Sequence, residues 1–144
     1  HMASAPATSD QIQRVEADTD AAIDSVLQSV PLEKATRAVA VAGTATTIAA
    51  AALGLKTYDS EVINGSSISV DTVQKTAEML RSMTREERAA LGYMHPGRVD
   101  VIGAGATIYA RIMTRLHEIT EGNIDSVTVS EHDILDGIAL SQVR

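Results

Sequence analysis

With 144 residues, no cysteine and three aromatic side chains, all tyrosine, the chain is sized for one compact domain or part of a larger one. Its core must be built from Ala, Val, Ile, Leu and Met; disulfides, thiol catalysis and thiolate zinc sites are excluded, and the lack of cysteine fits a cytoplasmic protein. The formal charge of −7 sets the surface against nucleic acid and anionic membranes, so a phosphate-bearing ligand needs a local site.

His1-Met2 and the small residues after it read as a cloning scar and a loose leader, residues 1–9, ahead of a folded part at 10–144. Thr8 and Gln11 have capping-box spacing, and Ile12, Val15, Thr19, Ala22, Ile23, Val26, Leu27 and Val30 then recur at helical spacing up to Pro31. Glu16, Asp18, Asp20 and Asp24 fall on the acidic outer face of that helix. The segment AVAVAGTATTIAAAALGL, residues 38–55, predicts a strand at Val39 and Val41, a turn over Gly43 and an alanine-rich helix closing near Gly54. Glycine and threonine interrupt its apolar run, so neither a signal peptide nor a membrane span is expected.

Residues 58–63 read as extended, followed by a turn at Asn64-Gly65. Val70, Val73, Ala77, Leu80 and Met83 mark a helix after Ser69 or Asp71; Thr84 with Glu87 starts another through a capping box, and Gly92 closes it. His95-Pro96-Gly97-Arg98 is a loop or helix lead-in. Ile102, Ala106, Tyr109, Met113 and Leu116 form one stripe of a long helix that Gly103 and Gly105 bend. A short strand at 127–129 precedes a last helix capped by Ser130, with Asp133 at N3 and Ile134, Leu135, Ile138 and Leu140 facing inward. The order is α-β-α-extended-α-α-α-β-α, a mostly helical α/β fold without internal repeats.

Three places have the residues for chemistry. A strand that turns over Gly43 into a helix N-terminus presents backbone N–H groups and the Thr44, Thr46 and Thr47 hydroxyls to a phosphate. The alternative is an ordinary helix cap by Thr44 or Thr46. No lysine follows the glycine, so this is not a Walker loop. In DVIGAGATIYARI, residues 100–112, Gly103 and Gly105 imitate a dinucleotide fingerprint, but Ile108 stands where the third glycine belongs. A packing helix is the better reading. Arg98 is suited to clamp a phosphate with His95 as a second donor, against an ion pair with Asp100. Glu131, His132, Asp133 and Asp136 are placed for capping and dipole complementarity rather than for a metal, because adjacent residues at a helix start point apart.

The segments VAVAGTATTIAAAALGLKTYD, ING, MHPGRVDVIGAGATIYARIM and VTVSEHDILDGIAL occur in an order that strongly resembles the carboxyl-terminal half of the Ppx/GppA family, from about residue 10 to 140. These are exopolyphosphatases and guanosine pentaphosphate phosphohydrolases. The resemblance implies the actin/Hsp70/sugar-kinase (ASKHA) fold, two ribonuclease-H-like lobes with phosphoryl chemistry between them, this chain being part of the second. It implies that the turn at Gly43, Thr44, Ala45 and Thr46 faces the cleft, that His95 and Arg98 lie near the phosphates, and that 127–138 is the final strand and helix.

The family's DxGGGS-like loop and water-positioning glutamate do not occur in this sequence. The first three strands of the lobe's sheet are expected upstream. The chain is therefore expected to carry no catalytic residue or metal ligand and to be inactive alone. Its partners would be the missing N-terminal half, inorganic polyphosphate or pppGpp and, through uncovered apolar faces, a second copy in a homodimer. The full-length parent would be a cytoplasmic, Mg-dependent hydrolase releasing orthophosphate from a terminal phosphoanhydride. The competing expectation is a non-catalytic helical module for dimerisation or for nucleotide or phosphate sensing.

Overall fold

The computed structural model describes residues 6–142, so the scar and leader reading of residues 1–5 falls outside them. Helix α1 (Ser9–Leu27) opens with the predicted capping box: Thr8 Oγ1 accepts from the Gln11 N–H, and the Gln11 side chain accepts from the Thr8 N–H. It stops at Leu27 rather than at Pro31, and a 3₁₀ turn (Leu32–Lys34) leads to strand β1 (Val39–Ala40). Helix α2 (Ala42–Ala52) ends as expected. Gly54 takes φ +67°, its N–H bonds to the Ala51 carbonyl and the Leu55 N–H to that of Ala50, the paired bonds of a Schellman motif.

Residues 58–63, expected to be extended, contain instead the single-turn helix α3 (Ser60–Ile63). The Asp59 carboxylate accepts from the N–H groups of Glu61 and Val62, and this local cap outweighs the β-propensity of Val62 and Ile63. The extended element follows the Asn64-Gly65 turn as β2 (Ser67–Ser69). Helix α4 (Val70–Ser82) is capped by Ser69, and α5 (Arg85–Ala89) by the Thr84–Glu87 box. Gly92 does not close α5 in a left-handed conformation; its bare Cα admits the carbonyl of Lys56, which a side chain would strike. Helix α6 (Ile102–Ile119), strand β3 (Ser126–Val129) and helix α7 (Ile134–Ser141) complete the described residues.

The sheet order is β1-β3-β2. Strand β1 runs parallel to β3, with Val39 opposite Thr128, and β2 runs antiparallel, with Ile68 opposite Val127. Helix α6 lies between α4 and α1, and α2 packs against both α4 and α6. Ile48, Ile63, Val73, Leu80, Ile102, Val127 and Val129 are almost wholly buried at the centre, the aliphatic core that the composition demands. Each large aliphatic side chain so buried contributes about 1.5–3 kcal/mol. None of the helices among the described residues is long and apolar enough to cross a membrane.

The glycines of α6 serve packing. A Cβ on Gly103 would stand 2.7 Å from the Arg88 guanidinium, and one on Gly105 would stand 2.9 Å from Thr44 Oγ1. Arg88 is 3% exposed and donates from Nε to the Leu80 carbonyl (2.8 Å) and from Nη2 to that of Arg81 (3.3 Å). It thereby satisfies carbonyls at the end of α4 that have no helical partner. Burial holds its pKa below the usual arginine value, opposed by the charge of Asp100.

Two expectations are corrected at the surface. Asp20 does not lie on a solvated acidic face but forms a two-pronged bond to Arg111 of α6, both contacts at 2.7 Å. In α7 the cap is Asp133, which accepts from the Leu135 N–H while Asp136 accepts from the Asp133 N–H; Ser130 instead binds His132. Ile134, Leu135, Ile138 and Leu140 point outward, 53–75% exposed, because nothing among the described residues packs on α7.

Candidate phosphate-binding site

Because β1 and β3 are parallel, their carboxyl ends lie at the same edge of the sheet, where open α/β sheets bind ligands. The Ser130 N–H donates to the Ala40 carbonyl (2.9 Å), holding the two exits together. From β1 the chain passes through extended Val41 (φ −127°, ψ 171°) directly into α2. The left-handed residue of this turn is Ala42, at φ +70°, and not Gly43. For alanine that conformation costs about 1–2 kcal/mol, strain of the kind that accumulates at functional sites.

Gly43 lies in the first turn of α2, and its missing side chain is what lets Arg98 in. A Cβ there would collide with the Arg98 guanidinium. Arg98 Nη1 donates to Thr47 Oγ1 (3.1 Å), which in turn donates to the Gly43 carbonyl (2.7 Å). The guanidinium is thus laid over the head of α2. No side chain caps this helix, so neither Thr44 nor Thr46 acts as its N-cap. Ala45 and Thr46 are buried, and the Thr46 hydroxyl faces the Gly43 carbonyl at 3.4 Å. Ala42, Gly43 and Thr44 are the more open residues of the turn.

Arg98 does not pair with Asp100. That carboxylate is held by Arg85 Nε at 2.7 Å, and among the described residues no carboxylate lies within ion-pair distance of Arg98. His95 accepts the Gly97 N–H on Nδ1 (3.1 Å), capping the 3₁₀ turn Pro96–Arg98 that delivers the arginine. Tyr58, Gly92, Tyr93, Met94, His95 and Arg98 line a cavity of about 360 Å³ beside it.

Two residues here escaped the sequence reading as site residues. Tyr58 Oη donates to Glu131 Oε1 at 2.6 Å, and the Glu131 N–H donates to Asn64 Oδ1 at 3.1 Å. Burial and the Glu131 bond raise the Tyr58 pKa above the ordinary phenol value, with Thr46 and Arg98 acting in the opposite direction. The available signal was that Tyr58 follows α2 as one of only three aromatic residues and that Glu131 lies just beyond the end of β3. Glu131, His132 and Asp133 do not converge: the first binds Tyr58, His132 lies 3.5 Å from Asp136, and Asp133 caps α7. Among the described residues, no group of three histidines or carboxylates is placed to hold a metal ion.

A permanent cation set against an uncapped helix N-terminus favours an anion, since both the first-turn N–H groups and the helix dipole attract negative charge. A guanidinium can also hold two oxygens of one phosphoryl group.

A Ppx/GppA phosphatase family model matches residues 2–142. Exopolyphosphatase 2 of Mycobacterium tuberculosis is 46% identical over 119 residues, covering 83% of this chain and 37% of the relative. A crystal structure of an exopolyphosphatase-like protein superposes with a TM-score of 0.93 at 39% identity, over 97% of this chain and 45% of that one. The Aquifex aeolicus PPX-GPPA enzyme shares the fold at 23% identity, with a TM-score of 0.80 over 98% of this chain and 44% of that one. The chain thus spans less than half the length of these relatives. By the family match and the 0.93 superposition together, the chain belongs to the Ppx/GppA phosphatase family.

Proposed function

We propose that this chain forms the phosphate-holding wall of the reaction cleft in a Ppx/GppA hydrolase, within the second of its two lobes. The whole cytoplasmic protein would release orthophosphate from the end of inorganic polyphosphate, with pppGpp as the alternative substrate. The observation that carries the reading is the Arg98 guanidinium seated on Gly43 at the uncapped start of α2, beyond the carboxyl ends of parallel strands.

Phosphoryl transfer depends on placing the chain of phosphates and neutralising the charge that spreads over the transferred group. On this reading Arg98 and the N–H groups of residues 42–44 bind and orient an anionic oxygen, while His95 fixes the turn that presents Arg98. The magnesium that the resemblance implies does not fit the donors present. The Glu131 carboxylate is already bonded to Tyr58, among the described residues no three carboxylates or histidines converge, and hard-cation sites ordinarily need carboxylates to face the ion with the phosphates. No step of the reaction is assigned to a metal on this chain.

Three uncovered apolar surfaces support the reading as a partial enzyme. Val39 and Val41 are 57% and 48% exposed at the free edge of β1, the apolar side of α7 is open, and a groove of about 690 Å³ runs between α1 and α6, lined by Val15, Ile23, Ile108 and Leu116. The remaining length of the relatives would cover these faces. A homodimer or a sensing module would use the same surfaces. Phosphate release from polyphosphate and pppGpp, measured for this chain and for the full-length protein, separates the possibilities. Release is expected from the full-length protein alone; turnover by the 144-residue chain would overturn the assignment of catalysis to the remainder.

A further inference from the structure

A carboxylate beside an anion site is a liability, because it competes for the cation and repels the ligand. Glu131 is joined through its bond to Tyr58 to the cavity that Arg98 lines. It follows β3 at the edge where α2 begins, and Tyr58, its hydrogen-bond partner, lines the same cavity as Arg98. The Glu131 carboxylate is nevertheless bonded to Tyr58 and not to Arg98, and its backbone is tied elsewhere. Its Oε1 accepts the Tyr58 hydroxyl at 2.6 Å, and its N–H is tied to Asn64 Oδ1 at 3.1 Å. The segment carrying Tyr58 is itself pinned where the Lys56 carbonyl meets the bare Cα of Gly92.

We propose that Tyr58 is a positioning residue that holds the Glu131 carboxylate away from Arg98 and so keeps the guanidinium open to phosphate. The inference rests on the phosphate-site reading above and names the restraint that makes such a site workable in an acidic chain. The phenol's raised pKa keeps it protonated, and so a hydrogen-bond donor, at neutral pH. Both side chains of the pair are partly exposed, where a bond of this kind adds little to stability, so a purely structural role predicts almost no effect on ligand binding.

The test titrates inorganic tripolyphosphate into the wild-type chain, Tyr58→Phe, Glu131→Gln and the double variant, following the Arg98 Nε–H signal by NMR. Without its donor, Glu131 should turn to Arg98. Tyr58→Phe should therefore shift that signal before any ligand is added and weaken binding about tenfold, a coupling within the range seen for neighbouring side chains. Adding Glu131→Gln should return the signal and restore binding to within about twofold of wild type. Wild-type affinity in Tyr58→Phe, or no recovery in the double variant, would overturn the proposal. If the wild-type chain binds no tripolyphosphate, the phosphate-site reading fails on its own, and the ligand-free Arg98 signal still decides whether Tyr58 restrains Glu131.

Discussion

A methyl group at position 43 would fill the space that the Arg98 guanidinium occupies, so Gly43→Ala should drive the arginine off the head of α2. The expected result is about tenfold weaker tripolyphosphate binding, the loss of roughly one charge-assisted hydrogen bond. Calorimetric titration measures it, with the melting temperature as control. The sequence singled out both residues but gave the glycine a different task. Its expected role was to turn the chain, yet the turn is made by Ala42 at φ +70°. What makes glycine necessary is a side chain arriving from the 3₁₀ turn after His95, and local sequence carries no record of such a distant approach. The pairing of Tyr58 with Glu131 was missed for the same reason: their bond joins positions 73 residues apart.

Among the elements, Arg88 joins α5 to the end of α4 beneath Gly103 of α6. Arg88→Ala should cost about 2–3 kcal/mol in urea unfolding, because it empties buried space and strands the Leu80 carbonyl. The Asp20–Arg111 bond ties α1 to α6, and it holds the Asp20 pKa below the usual carboxylate value, with burial in partial opposition. A depressed folded-state pKa means stability that is present above the ordinary aspartate range and lost as pH falls through the folded value. Asp20→Asn should therefore flatten the acid side of the stability profile below about pH 4 and lower stability near neutrality by about 1 kcal/mol. Elements governed by local rules were legible: the boxes at Thr8 and Thr84 and the Gly54 stop form as read, and of Ser69 and Asp71 it is Ser69 that caps α4. The short ones were not. Helix α3 and strand β2 are too brief for periodicity to register, and α7 is capped by Asp133 rather than by the expected Ser130.

At the scale of the whole molecule, the fold class and family were legible because several motifs in a fixed order restrict the answer far more than any one of them. The exposed face of α7 was not. Its apolar spacing predicts an inward face, whereas Ile134, Leu135, Ile138 and Leu140 are exposed, because no other described element buries them. Ile138→Glu in this chain should accordingly change unfolding free energy by no more than about 0.5 kcal/mol. In the full-length protein the same substitution should lower the melting temperature, if the remaining length covers α7. Phosphate binding is assigned to the edge of the sheet where β1 meets α2, the edge at which β3 also ends. Amide chemical-shift mapping of the 144-residue chain with tripolyphosphate tests it most directly. Saturable shifts are expected at Ala42, Gly43, Thr44 and Arg98, and Arg98→Ala should abolish them; shifts centred elsewhere, or unchanged in that variant, would rule out this edge as the phosphate site.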